Sequence, residues 1–65
     1  MQTKIKTYRN GWLAMLEKTS SLDAPYVALV RTASGEIYDK RRCDDYRNAL
    51  DYYRCFRLIA KNQPR

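Results

Sequence analysis

Histidine is absent from this chain of 65 residues, which removes a whole range of chemistry. Without it there is no His-ligated metal, no Ser-His-Asp or Cys-His nucleophile system and no histidine pH switch. Glycine is nearly as scarce: Gly11 and Gly35 are lone turn residues, so no glycine-rich loop can cradle a phosphate. Cys43 and Cys55 are the only thiols and lack Cys-x-x-Cys spacing. A zinc site would need two more soft ligands, supplied only by a second copy. A single disulfide is sparse for a small secreted scaffold, so two reduced thiols packed as small apolar groups are expected. Long apolar runs are missing too, the longest being five residues, and Met1-Gln2-Thr3-Lys4-Ile5-Lys6 contains no apolar segment. No signal peptide, membrane span, cofactor or metal is therefore expected, and the cytoplasm is the expected setting. Acids are outnumbered, 7 against 13 bases, for a net charge of +6 and an isoelectric point near 9.6.

What is present suffices for one small domain, residues 1–65, with a thin core. Hydrophobic residues reach 45%, which favours a folded chain over a disordered one. Residues 4–8 alternate and read as a strand, and Asn10-Gly11 is a strong hairpin signal before a return strand over 12–18. A two-residue Asn-Gly loop would pair Ile5 with Leu16, Thr7 with Ala14, Lys6 with Met15 and Lys4 with Glu17. That register makes Ile5, Trp12, Ala14 and Leu16 the core face. It leaves Lys4, Lys6, Tyr8, Leu13 and Met15 on an amphipathic outer face. Residues 19–25 read as a loop, 26–32 as a strand, 33–35 as a turn and 36–39 as the returning strand. A two-residue Ser34-Gly35 turn pairs Thr32 with Ile37, and a three-residue turn shifts that pairing by one.

From Asp44 the period changes: Tyr46, Ala49, Leu50, Tyr53, Phe56 and Ala60 recur at helical spacing to about Asn62. Asp44 can accept first-turn amides and Asp45 suits the helix dipole. The order ββββα predicts an α+β fold, a small antiparallel sheet of two hairpins packed against one C-terminal helix. A second apolar set, Tyr52, Cys55, Leu58 and Ile59, lies outside the core stripe. Either the loop 19–25 covers it through Leu22, or it is an interface with a second copy or another protein, together with Leu13 and Met15.

A third helix arc is basic: Arg47, Arg54 and Lys61 repeat at seven residues with Arg57 beside them, and Asp51 is placed to pair with Arg47 and Arg54. Residues 1–38 carry five bases and three acids, net +2, whereas residues 39–65 carry eight and four, net +4. Lys40-Arg41-Arg42 is the densest run, read as a connector between strand and helix, partly neutralised by Asp39, Asp44 and Asp45.

These features support nucleic-acid binding first, with Lys4, Lys6, Tyr8, Arg31, Arg41, Arg42, Arg47, Arg54, Arg57 and Lys61 as the contacting set. The alternative is a protein-interaction module, such as an inhibitor or adaptor encoded by a phage or mobile element, docking on an acidic partner. The stretch Tyr8-Arg9-Asn10-Gly11-Trp12 and the strand-to-helix order of residues 26–60 resemble the sheet-plus-helix DNA-binding modules of plant APETALA2 and integrase arm-type domains. That resemblance implies groove reading from the sheet, where Trp12 and Arg31 could serve, although a fourth strand departs from it. No enzyme is expected. The adjacent Asp44 and Asp45 read as helix-start residues rather than an acid–base pair.

Overall fold

The computed structural model describes residues 3–64. Strands β1 (Thr3–Thr7), β2 (Leu13–Lys18), β3 (Tyr26–Arg31) and β4 (Ile37–Cys43) precede one helix, α1 (Tyr46–Lys61). The strands form one antiparallel sheet in the order β1-β2-β3-β4, so each strand neighbours the next in sequence. The α+β fold and its ββββα order are as the sequence predicts. One boundary differs: β4 continues to Cys43, so Lys40-Arg41-Arg42 belongs to a strand and is not a connector.

The first hairpin overturns the expected register. Tyr8 N–H donates to the Trp12 carbonyl at 2.9 Å and Gly11 N–H donates to the Tyr8 carbonyl at 2.9 Å, which makes a three-residue loop. Gly11 has φ 89°, and no non-glycine residue among those described has positive φ, so the type I′ turn that Asn-Gly suggests does not form. Asn10 instead uses its side chain. Its Oδ1 accepts from Trp12 N–H, while Nδ2 donates to the carbonyls of Ala60 at 2.7 Å and Gln63 at 2.8 Å. The extra loop residue slips the pairing by one, to Lys4 with Leu16, Ile5 with Met15 and Lys6 with Ala14. A slip of one exchanges the faces of a strand. Ile5 is therefore 58% exposed on the side away from the helix, and Lys4 and Lys6 lie on the helix side.

The second hairpin also takes the three-residue form. Thr32 N–H donates to the Glu36 carbonyl at 2.8 Å, and Gly35 has φ 94°. An irregularity between Val30 and Arg31 then inserts Tyr38 as an extra residue, so Arg31 pairs with Ile37 but Val30 pairs with Asp39. Such a bulge lets two successive side chains oppose one residue. Tyr38 meets the Trp12 ring edge-on, with centroids 5.3 Å apart.

The core lies between sheet and helix. Ala14, Leu16, Ala28, Val30 and Cys43 from the sheet meet Ala49, Tyr53, Phe56 and Ala60 from α1. The four alanines have no exposed surface. Their small side chains bring helix and sheet close, and Tyr53 and Phe56 fill the space between them. Asp45, one residue later than expected, is the N-cap; its carboxylate accepts from Arg47 N–H at 3.2 Å. Tyr46 packs edge-on against Tyr26, with centroids 5.5 Å apart, where the helix starts. At the other end Asn10 ties the first hairpin tip to the helix C-terminus, donating to the carbonyl of Ala60 in the last turn and to that of Gln63 just beyond it.

Candidate nucleic-acid interface

The register of β1 and the Asn10 clamp together decide where the charges meet. Lys4 and Lys6 stand on the helix side of an edge strand, with Tyr8 continuing that wall. Arg54, Arg57, Leu58 and Lys61 supply the facing wall from α1. Tyr8, Arg54, Arg57, Leu58 and Lys61 line an open cavity of about 290 Å³. A second concavity of about 290 Å³, lined by Tyr8, Arg9, Asn10, Lys61 and Gln63, shares Tyr8 and Lys61 with it. The two make a groove running from the β1 edge to the hairpin tip.

Tyr8 organises this groove. The Lys6 Nζ sits 5.9 Å from its ring centroid. The nearby Tyr8 phenol raises the already high Arg57 pKa. Arg57 also lies over the Tyr53 ring at 5.7 Å, a cation–π arrangement. Burial, above all, raises the Tyr53 pKa; the nearby Arg57 charge works against it and Tyr8 adds to it. Arg57 thus lies over the Tyr53 ring beside Tyr8, in the wall of the groove. Among the described residues the one ion pair joins Arg41 to Asp39 at 3.6 Å, and none of their carboxylates pairs with a groove cation. The expected pairing of Asp51 with Arg47 and Arg54 does not form.

Five of the ten predicted nucleic-acid residues meet here: Lys6, Tyr8, Arg54, Arg57 and Lys61, while Lys4 shares the helix side of β1 farther along the strand. Arg47 extends the same helix flank toward the N-cap, by its seven-residue spacing from Arg54. The other three lie elsewhere. Arg41 faces the helix from the opposite sheet edge, paired with Asp39 and 5.9 Å from the Tyr52 ring. Arg31 and Arg42 occupy the face without a helix, opposite Leu13 and Val27. Strand alternation splits the 40–42 run, because Lys40 and Arg42 point to one side of β4 and Arg41 to the other.

The second apolar set does not form one patch. Leu58, 61% exposed, is about 120° around the helix from Tyr52 at 100° per residue, and lines the basic groove. Tyr52 stacks obliquely on Phe56 with centroids 6.1 Å apart, and Ile59 packs against the core. Cys55 is exposed, not packed as expected, whereas Cys43 is buried; both thiols are free. Leu22 is 98% exposed and covers nothing. Arg9 and Gln63 were missed as groove residues. They arrive through the Asn10 clamp, which spans 50 and 53 positions in sequence and leaves no local signal.

Among the described residues no cluster of three or more His, Cys, Asp or Glu side chains is placed to hold a metal ion. No helix is long and apolar enough to cross a membrane. The class the fold and site define is a four-stranded meander crossed on one face by a helix, with a basic groove along one edge. Comparison with protein-family models, curated proteins and solved structures finds no match.

Proposed function

We propose that this chain binds nucleic acid, its phosphates seated in the groove between β1 and the C-terminal half of α1. The observation that carries this reading is the convergence of Lys6, Arg54, Arg57 and Lys61 around Tyr8, with no carboxylate of the described residues paired to any of them. Such a groove tracks a phosphate backbone without reading sequence, and Tyr8 offers a ring beside the bases or sugars. The groove lining contains cations, a phenol and amides, a binding set and not a catalytic one.

The test is affinity for duplex and single-stranded DNA across a salt series. Four phosphates neutralised by the groove give log-log slopes of about −3.6 for duplex and about −2.8 for single strands. Raising salt from about 50 to 200 mM should then weaken duplex binding about 150-fold and single-strand binding about 50-fold. No binding at low salt, or an affinity indifferent to salt, overturns the proposal.

A further inference from the structure

The face of the sheet that carries no helix has its own pattern. The register lays its outward residues in three rows: Thr3, Glu17, Val27 and Arg42; Ile5, Met15, Leu29 and Lys40; Thr7, Leu13, Arg31 and Ile37. Apolar side chains run through all three; Val27 and Leu29 are already buried, so the accessible apolar surface is the half-buried Leu13 and Met15 with Ile5, 58% exposed, and Ile37, 50% exposed. Each row also holds one cation on its β3–β4 side. Glu17 is the only carboxylate in these rows, and it pairs with none of the three cations. Arg31, set between Leu13 and Ile37, has a buried Nε that finds no acceptor among the described residues. The side chain as a whole is only half-buried, and its guanidinium keeps further N–H donors for an incoming carboxylate.

We propose that this face docks an acidic amphipathic helix of a partner protein. The apolar stripe of the helix covers Ile5, Met15 and Ile37, and its carboxylates meet Arg31, Lys40 and Arg42. A second layer of helix on the open face completes a sandwich of the kind sheets form when both faces are covered. Charge selects the partner. Three cations against Glu17 leave the face at +2, so two copies set face to face would repel, whereas an acidic helix is complementary. Strand addition is disfavoured, because both edges carry cations: Lys4 and Lys6 on β1, and Lys40 to Arg42 on β4.

The experiment titrates ¹⁵N-labelled full chain with a synthetic helix bearing a leucine stripe flanked by glutamates. Its control has lysines in place of the glutamates. The glutamate helix should shift the amides of Met15, Leu29, Ile37 and Lys40. Combining I37S with R42Q should weaken it about tenfold or more, while R57Q with K61Q in the groove should leave it unchanged. Both apolar and charged substitutions fall at exposed positions, and Trp12 fluorescence verifies that the variants stay folded. The proposal is overturned by shifts confined to groove residues, by no shift at about 1 mM peptide, or by equal binding of the lysine helix. It is also overturned if a DNA duplex, not the peptide, perturbs this face. Because the groove and this face lie apart, loss of DNA binding leaves the outcome here untouched.

Discussion

Asn10 offers the sharpest perturbation, since one side chain sets the first hairpin loop and joins it to the end of the helix. Replacing it with alanine removes two donors from the carbonyls of Ala60 and Gln63 and an acceptor from Trp12 N–H. Half-buried groups of this kind recover part of the loss from water, so N10A should cost about 1–2 kcal/mol. N10D keeps the acceptor for Trp12 but sets carboxylate oxygen against two carbonyls at the negative end of the helix dipole. Repulsion adds about 1–2 kcal/mol, so N10D should cost about 2–4 kcal/mol at pH 7. A domain of this size holds only about 3–10 kcal/mol in total. At about 4–8 °C per kcal/mol, N10D should melt at least 8 °C below the parent. The sign of the pH dependence follows from the same geometry. The folded state favours the protonated form of the introduced carboxyl, so its pKa rises above the unfolded value near 3.9. Its penalty is full above the folded pKa and shrinks as pH falls through it. Urea unfolding at pH 7 and pH 3.5 measures both quantities. The reasoning fails if N10D equals or exceeds N10A in stability at pH 7, or if the gap between them widens in acid.

The remaining expectations concern turns, thiols and charge. A Cβ on Gly11 would meet the Ala33 Cβ at 2.8 Å, while one on Gly35 meets nothing within 4 Å, though both glycines have left-handed φ. G11A should therefore cost about 1–3 kcal/mol more than G35A, with A33G restoring part of the difference; denaturant midpoints of the double-mutant cycle check this. The Cys43 pKa is raised from 9.0, first by burial and then by the charges of Asp44 and Asp45. Iodoacetamide at pH 8 should label Cys55 before Cys43, as read by peptide mass; equal labelling would contradict the burial of Cys43. The same raised thiol, together with the raised Tyr53 phenol, contributes stability that is full below pH 9 and is lost as pH climbs through the folded pKa values. Thermal melts at pH 8 and pH 10.5 should show the drop. Replacing Arg57 or Lys61 with glutamine should flatten the salt dependence of DNA binding by about one unit of slope each, and R42Q should leave it unchanged.

Much of the groove was legible in the helix alone. The seven-residue spacing of Arg47, Arg54 and Lys61 places them on one arc whatever they pack against, because 3.6 residues complete a turn. What faces them was not legible. Asn10-Gly11 favours a two-residue loop on local preference, and that loop would have sent Lys4 and Lys6 away from the helix. The Asn10 side chain makes two bonds to a segment 50 and 53 residues later, and the longer loop brings the lysines round. The position of Tyr38 is a similar case. Alternation back from Asp39, which pairs with the helix-side Val30, puts it with the helix-free face, and the bulge in β4 turns it to Trp12.

The amino-acid sequence by itself determined the number, type and order of the elements, the core stripe of the helix and the excess of positive charge. These rest on periodicity and composition, which are local. Only the tertiary structure decided which face each strand turns to the helix, and with it the groove around Tyr8 and the cationic, apolar face behind it. A strand's period is two, so a single residue gained in a loop or bulge exchanges its faces. That residue is settled by hydrogen bonds between segments distant in the chain.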